Sequence, residues 1–217
     1  MQKMVESLRA RGLWGTAKKA WTVYVYRATH DMQFRRDFND IKSEPYDEGT
    51  PYHVHAITAV DDPAVTQLRQ DFPKAAPSLV GYVQRGCVVH TLSKEGAIVG
   101  FLVTALVDFY DTNHFRRWFR LAPDEGYCFG FFVAPEARKG PGAKILMMEV
   151  FRWLKTHRGI THIHAMCDTE NRPLVRFYKM NKFLETGQAV DLFKIFGFHW
   201  SRMTAFRGHP PRKTTKR

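Results

Sequence analysis

Short runs of apolar residues, separated by turn-forming residues, recur along the first half of the chain. They predict three strands, at His53 to Ala59, Cys87 to Ser93 and Ala97 to Tyr110. The turn Lys94-Glu-Gly96 joins the last two runs, as in a hairpin. Between the first two runs, Asp62-Pro63 predicts the start of a helix that continues to about Phe72, where Pro73 and Pro77 end it.

The second half of the chain alternates strands with helices. A strand from about Glu125 to Val133 leads through a basic, glycine-rich turn into an apolar helix from about Gly142 to His157. A short strand from Thr161 to Cys167 follows, and Asn171 predicts the start of another helix. Residues Phe183 to Phe206 supply two more strands or a hairpin. Four predicted strands therefore precede the glycine-rich turn.

Both ends of the chain are basic. Residues Ser7 to Val23 predict a basic amphipathic helix, which either docks on the main domain or lies on an anionic membrane surface. The acidic, turn-rich stretch from Asp37 to Pro51 resembles a linker, and the tail after Phe206 has the composition of a disordered segment. We therefore divide the chain into a basic N-terminal extension (residues 1–50), a main domain (51–206) and a basic disordered tail (207–217).

Composition narrows the class of protein. The 217 residues are 44% hydrophobic, enough for a substantial core, and 33 Lys and Arg against 21 Asp and Glu give a net charge of +12. The apolar runs are shorter than the roughly 20 residues of a membrane-spanning helix, and the start of the chain has no secretory signal. A cytoplasmic location is therefore expected. The predicted N-terminal helix makes the inner face of the membrane an alternative location.

The charge and the cysteines exclude or weaken several other classes. Cys87, Cys128 and Cys167 are widely spaced and form no CxxC pair, which argues against a disulfide framework and a zinc site. The basic ends leave nucleic-acid binding as a weak alternative, because no stacking platform or zinc finger accompanies them. The sequence leaves the oligomeric state open, including a homodimer.

The glycine-rich turn from Arg138 to Gly142 is the strongest candidate for a ligand site. It lies between a strand and a helix, so unpaired N–H groups and the positive end of the helix dipole favour an anion, as do the charges of Arg138 and Lys139. A pyrophosphate is the expected ligand. The turn matches neither a Walker A loop nor a dinucleotide-binding fingerprint.

Two segments together resemble the acyl-coenzyme A motifs of the GNAT superfamily of N-acyltransferases. They are Val133-Ala-Pro-Glu-Ala-Arg-Lys-Gly-Pro-Gly-Ala-Lys-Ile-Leu146 and Asn171-Arg-Pro-Leu-Val-Arg-Phe-Tyr-Lys-Met-Asn-Lys-Phe183. The resemblance covers about residues 50 to 200. It implies an α+β fold with a mixed, mostly antiparallel central sheet flanked by helices. It also implies that the fourth and fifth strands splay apart and that the coenzyme binds between them.

The resemblance further implies which residues bind acetyl-coenzyme A or another acyl-coenzyme A. Main-chain groups near two residues of the strand would pair with the pantetheine, the turn would hold the pyrophosphate, and two residues of the second motif would lie beside the thioester. The implied residues are Phe131, Val133, Arg138, Lys139, Gly140, Gly142, Ala143, Asn171 and Tyr178. The turn departs from the family spacing, because Arg138 stands one residue closer to the first glycine and Pro141 removes an N–H.

The chemistry of acyl transfer indicates candidate catalytic residues. The departing thiolate needs an acid, for which Tyr178 is suited, although a core tyrosine is the alternative interpretation. The candidates for the base that deprotonates the acceptor are Glu125, which strand alternation places on the face of Phe131 and Val133, then His164, then Asp168. His162 and His164 share a strand face, but such a pair alone is poor evidence for a metal, so none is expected.

The leading hypothesis is an acyltransferase, an N-acetyltransferase above all, in which a small-molecule amine or amino sugar attacks the thioester directly. A covalent intermediate on Cys128 or Cys167 is discounted, because neither residue has an adjacent base. The alternatives are a non-catalytic acyl-coenzyme A or ligand-binding module of the same fold, and a basic protein associated with nucleic acid.

Overall fold

A computed structural model of the chain describes residues 26–111, 117–195 and 198–205. The amphipathic helix expected before Tyr26 and the basic tail both lie outside these residues. The described strands are β1 (Tyr26–Asp37), β2 (Tyr52–Ile57), β3 (Val88–Lys94), β4 (Ala97–Ala105), β5 (Phe109–Asp111), β6 (Arg117–Phe119), β7 (Glu125–Val133), β8 (His162–Asp168), β9 (Leu184–Ile195) and β10 (Phe198–Ala205). The helices are α1 (Ala64–Asp71), α2 (Ala76–Gln84), α3 (Pro135–Arg138), α4 (Gly142–Arg158) and α5 (Arg172–Met180).

One eight-stranded sheet organises the molecule, in the order β10-β9-β1-β8-β7-β4-β3-β2. Neighbouring strands run antiparallel except β7 and β8, which are parallel. Strands β5 and β6 form a separate two-stranded sheet. The expected α+β fold with a mixed, mostly antiparallel sheet is confirmed.

Helices cover both faces of the sheet. Helices α4 and α5 pack on one face, where Leu146, Phe151 and Tyr178 join the apolar side chains of β1 and β8 in a common core. Helices α1 and α2 pack on the other face, over a second core that includes Val103 and Tyr127. The sheet is therefore the middle of three layers, and burial of apolar surface on both faces is the main force that holds the layers together.

The parallel strands β7 and β8 pair only at their beginnings. Their register runs from Glu125 opposite His162 to Cys128 opposite Ala165. Strand β7 continues to Val133 and β8 to Asp168, but no pairing between them is found in these described residues. The two strands thus separate in the middle of the sheet, which is the splay that the sequence resemblance implies.

A bulge in β7 accompanies this separation. Phe129 lies opposite Val103 and Phe132 lies opposite Phe101, so β7 has one residue more than β4 in this interval. Gly130 adopts a φ of 62°, and a Cβ there would lie 3.1 Å from a methyl group of Val103. A side chain at this position would be strained, which explains the glycine. The extra residue turns Phe131 toward α5, where its ring stacks on Phe177.

Three sequence predictions need correction. Strand β1 lies in the sheet between β8 and β9, so the predicted boundary at residue 50 does not separate the sheet from an extension. Pro77 does not end helical structure but lies in the first turn of α2, where the missing N–H of proline is tolerated. The strand expected to reach Tyr110 ends at Ala105, and the chain then forms the β5–β6 hairpin. Among the described residues, seven strands rather than the expected four therefore precede the glycine-rich turn.

No helix among residues 26–111, 117–195 and 198–205 combines the length and the hydrophobicity that a membrane crossing requires.

Candidate functional site

A cavity of about 540 Å³ opens where β7 and β8 separate. Its wall includes consecutive residues of both strands, Phe129 to Phe131 from β7 and Met166 to Asp168 from β8. Helix α2 contributes residues on one face of the sheet, and Tyr178 of α5 contributes from the other. The cavity therefore reaches through the gap in the sheet and gives a ligand access to the main chain of β7.

Asn171 and Tyr178, which the resemblance places beside the thioester, both line this cavity. Asn171 precedes α5, and its side-chain oxygen accepts a hydrogen bond from the main-chain N–H of Leu174 at 3.3 Å. This contact caps the helix and fixes where it begins. Seven residues later, two helical turns on, Tyr178 lies on the same side of α5 and points into the core between Phe34 and Phe183.

The environment of Tyr178 keeps its hydroxyl protonated. Tyr178 is only 3% exposed, and this burial raises the pKa of its hydroxyl well above the usual value. The nearby Cys128 and Cys167 raise the pKa further. Burial likewise raises the pKa of Cys128, and together with the carboxylates of Asp31 and Asp168 it raises the pKa of Cys167 to about 12. Both cysteines are thiols at neutral pH and are poor nucleophiles.

Three carboxylates line the described wall of the cavity: Asp31, Asp111 and Asp168. Asp31 lies opposite Asp168 in the pairing of β1 with β8, and the hydroxyl of Thr29 donates a hydrogen bond to its carboxylate at 2.8 Å. Sequence reasoning named Asp168 but missed Asp31 and Asp111. The signal for Asp31 was the alternation of apolar Met32 and Phe34 with polar neighbours, which marks a strand with one polar face.

Glu125, His162 and His164 form a separate cluster beyond this cavity, and none of them lines it. The bulge explains the placement of Glu125. Before Gly130, Tyr127 packs in the core beneath α2, whereas Val133 packs in the core beneath α4. Strand alternation therefore fails across the bulge, and Glu125 does not share a face with Phe131 and Val133 as the sequence suggested.

Hydrogen bonds and burial set the charges in this cluster. Burial alone would raise the pKa of Glu125, but hydrogen bonds from the Ala122 main chain and from His162 lower it to about 2. Burial lowers the pKa of His164, and the negative charge of Glu125 opposes this only in part. At neutral pH the cluster therefore combines an ionised carboxylate with a neutral imidazole of His164.

The glycine-rich turn lies outside the wall of the cavity. Lys139 and Gly140 are exposed between α3 and α4, and Ala143 packs against the core beneath α4. The Arg138 side chain folds back, and its Nε donates a hydrogen bond to the carbonyl of Val133 at 2.5 Å. The turn and the end of β7 are thus joined by a direct contact, and Arg138 occupies a main-chain group that the resemblance assigns to the coenzyme.

Gly142 allows the turn to pack closely on β2. A Cβ on this residue would lie 3.0 Å from the Ala137 carbonyl oxygen and 3.1 Å from the ring of Tyr52. These distances are shorter than ordinary van der Waals contacts, so one of the two neighbours would have to move. The absence of a side chain at this position therefore serves the packing of Tyr52 against the first turn of α4.

We expect Gly142→Ala to lower the free energy of unfolding by about 1–3 kcal/mol, because the added methyl group overpacks this contact. The matched control is Gly81→Ala in α2, where a Cβ would meet nothing within 4 Å. That substitution should be neutral or stabilising by up to about 1 kcal/mol. Urea unfolding of both variants measures the difference, and equal effects would contradict the packing explanation.

The chain matches the model of one known protein family. The acetyltransferase (GNAT) family model matches residues 35–183, about two thirds of the chain. The matched region includes the separated strands, the glycine-rich turn and α5. No curated protein sequence matches the chain significantly.

Solved structures with a similar fold include the two that follow. A functionally unknown conserved protein from Staphylococcus epidermidis is 8% identical with a TM-score of 0.55, and the match covers 83% of this chain and 66% of that one. A tandem GNAT protein from the clavulanic acid biosynthesis pathway is 11% identical with a TM-score of 0.52, and the match covers 83% of this chain and 59% of that one. At such identities the likeness shows the fold alone, and the chain spans less than two thirds of either structure.

Proposed function

The chain belongs to the GNAT acetyltransferase family, and from this premise we propose that it transfers an acyl group from acyl-coenzyme A to an amine. The observation that carries the proposal is the cavity between β7 and β8, which brings Tyr178, Asp168 and the main chain of β7 together. A donor and an acceptor held in one such cavity react as if within a single molecule, and this alone can supply much of the rate enhancement.

The open edge of β7 is the proposed site for the pantetheine arm. No described strand pairs with β7 on the β8 side after Cys128. The amide groups of pantetheine can therefore hydrogen-bond to this edge as an added strand would. Phe131 and Val133 are the proposed main-chain partners. Arg138, whose Nε bonds to the Val133 carbonyl, would then turn toward the phosphates when the coenzyme binds.

The proposed pyrophosphate site is the turn from Arg138 to Ala143. Helix α4 begins at Gly142, and no described side chain caps its first turn. The main-chain N–H groups at the start of this 17-residue helix and the charges of Arg138 and Lys139 suit a diphosphate. Asn171 lines the cavity with Tyr178 and, because it caps α5, would hold Tyr178 in position beside the thioester.

Asp168 is the proposed general base. Glu125 and His164, the first two candidates from the sequence, do not line the cavity, whereas Asp168 lines it together with Tyr178. One oxygen of the Asp168 carboxylate accepts a hydrogen bond from the Glu170 main chain at 2.9 Å, which orients the group. A carboxylate placed in this way can take a proton from an acceptor amine directly or through one water molecule.

The proposed reaction is a direct attack that leaves no acyl group on the protein. The acceptor enters as an ammonium ion and loses a proton to Asp168, and its nitrogen then attacks the thioester carbonyl carbon. Main-chain N–H groups of β7 stabilise the resulting oxyanion. The carbon–sulfur bond breaks, Tyr178 donates its proton to the departing thiolate, and the nitrogen of the new amide loses its second proton, which returns to the Tyr178 oxygen through solvent. The protonated state of the Cys128 and Cys167 thiols supports this route over a covalent intermediate.

The proposed acceptor is a small amine, an amino sugar included. Asp31, Asp111 and Asp168 place carboxylates around the cavity, and an ammonium group is attracted to such a wall before it is deprotonated. The acceptor would approach from the α2 side, because Ser78 and Tyr82 line the cavity on that face and Ser78 is exposed.

We expect acetyl-coenzyme A to stabilise the folded chain. A ligand that binds only the folded state at 100 times its Kd adds about 2.7 kcal/mol, which raises the unfolding midpoint by several degrees. The measurement is thermal unfolding with increasing acetyl-coenzyme A, with ADP as the control because it lacks the pantetheine arm. Release of free thiol is then followed with a panel of amines, amino sugars, polyamines and peptides.

The two measurements separate the proposal from its alternative. Stabilisation together with acceptor-dependent thiol release supports an acyltransferase. Stabilisation without thiol release from any acceptor would instead point to a binding module of the same fold. No stabilisation by any acyl-coenzyme A would overturn the proposal.

A further inference from the structure

The cluster of Glu125, His162 and His164 lies outside the proposed transfer site, and we propose that it binds a divalent transition-metal ion of the zinc class. Each residue offers one ligand atom, and these atoms all lie within 4.8 Å of one another. Two imidazoles and one carboxylate are a ligand set that zinc uses with water in the fourth position. The proposal concerns a site distinct from coenzyme binding and does not depend on acyl transfer.

The three ligand atoms of the cluster converge on one point. The Nε2 atom of His162 lies 2.7 Å from Oε1 of Glu125, and the Nε2 atom of His164 lies 3.6 Å from the same oxygen. Bonds of about 2.0–2.1 Å at tetrahedral angles require neighbouring ligand atoms to be about 3.4 Å apart. The two distances lie on either side of that value, so small side-chain rotations place an ion between the three ligand atoms.

The other polar atoms of these three side chains already have partners. Nδ1 of His162 lies 2.9 Å from the Thr161 hydroxyl, and Nδ1 of His164 lies 3.3 Å from the side-chain amide of Gln33. The second carboxylate oxygen of Glu125 accepts a hydrogen bond from the Ala122 main chain at 2.9 Å. Such contacts orient metal ligands and fix which ring nitrogen is available.

The Gln33 contact is compatible with metal binding. An imidazole that binds metal through Nε2 carries its proton on Nδ1 and therefore needs an acceptor there. Rotating the Gln33 amide by 180° presents its oxygen to His164 and its nitrogen to the Thr186 hydroxyl, which already lies 3.4 Å from this amide. The oxygen and nitrogen of a side-chain amide are assigned from such networks, so both hydrogen bonds can be satisfied.

An ordinary ion pair does not explain the second histidine. His55 with Asp62 and His30 with Asp191 are described pairs in which one imidazole meets one carboxylate, at 2.9 and 2.6 Å. In the cluster two imidazole nitrogens face a single oxygen, and the second is too distant for a hydrogen bond. A cation between the three atoms satisfies all of them at once.

The position of the cluster indicates what a bound ion would do. Glu125 is paired with His162 at the beginning of the parallel strands, just before they separate. An ion held by one ligand from β7 and two from β8 would join the strands at the closed end of the gap. The side chains of these residues are 8–23% exposed, so an ion can reach them from solvent. An ion held there would stabilise the fold around the cavity.

The test uses the full chain after treatment with a chelator. We expect one equivalent of Co²⁺ to produce the visible absorption bands of a tetrahedral site, because Co²⁺ commonly replaces zinc among such ligands. Zn²⁺ at about 100 times its Kd should raise the unfolding midpoint by about 5 to 10 °C. His164→Gln should abolish both effects. Gln33→Ala should weaken Zn²⁺ binding by about 10–100-fold, because it removes only the partner that orients His164.

The matched control is His55→Gln, which alters a histidine that is paired with a carboxylate outside the cluster. It should retain the Co²⁺ spectrum and the full Zn²⁺ shift. Far-ultraviolet circular dichroism establishes that each variant is folded. The wild-type protein alone can contradict the proposal. An unfolding midpoint that Zn²⁺ leaves unchanged, together with no tetrahedral Co²⁺ bands, would overturn it. Equal losses in His164→Gln and His55→Gln would also overturn it, because binding would then be nonspecific.

Discussion

Replacing Tyr178 by Phe is expected to lower kcat for acyl transfer by about 10²–10⁴-fold, while the Kd for acetyl-coenzyme A changes little. The substitution removes one hydroxyl from a ring that remains packed between Phe34 and Phe183. Only the proton that Tyr178 donates to the departing thiolate is lost. An interaction made in the transition state and not in the ground state affects kcat and leaves binding unchanged.

The matched control is Tyr127→Phe. Tyr127 is also buried in the wall of the cavity, and burial followed by the charge of Asp111 raises its pKa well above the usual value. It stacks with Phe119 and has no step in the proposed reaction, so kcat should fall less than tenfold. Kinetics of thiol release and calorimetric titration with acetyl-coenzyme A provide both quantities. Full activity in Tyr178→Phe, or equal losses in the two variants, would contradict the acid role.

The sequence predicted the segments in which strand, turn and helix follow each other without interruption. Strands β7 and β8, helix α4 and the start of α5 lie within a few residues of the prediction, whereas the short helix α3 before the glycine-rich turn was not predicted. Their apolar periodicity is strong, and local signals such as Asn171 mark where a helix begins. The part of the candidate site that depends on these segments, Asn171 and Tyr178 at one cavity, follows from the same motif.

The sequence could not predict features that depend on pairing between distant strands. Strand β1 alternates apolar Met32 and Phe34 with polar residues such as Gln33, but this local pattern does not record that the strand pairs with β8 and β9. The bulge at Gly130 depends on the register with Val103, which no local pattern records. Asp31 lies in the cavity wall because β1 pairs with β8, which brings it opposite Asp168, more than a hundred positions away in the sequence.

Asp168→Asn is expected to lower kcat by about 10²–10⁴-fold near neutral pH, because an amide cannot take the proton of the incoming ammonium. Asn keeps the oxygen that accepts the Glu170 N–H, so the turn before α5 should be retained. The loss should shrink as the pH rises toward the pKa of the acceptor, about 10 for an alkyl amine. At such a pH a large fraction of the amine binds already deprotonated, so the rate depends less on proton transfer to Asp168.

The control for this prediction is Glu170→Gln, which removes a nearby negative charge that does not line the cavity. Its kcat should remain within about twofold of wild type, as for an exposed charge screened by solvent. The pH profile distinguishes a base from a carboxylate that only attracts the ammonium ion. A base makes kcat depend on pH with acceptor saturating, whereas attraction alone acts through KM. A loss in Asp168→Asn that is confined to KM, or that does not diminish at alkaline pH, would therefore assign the proton transfer to another group.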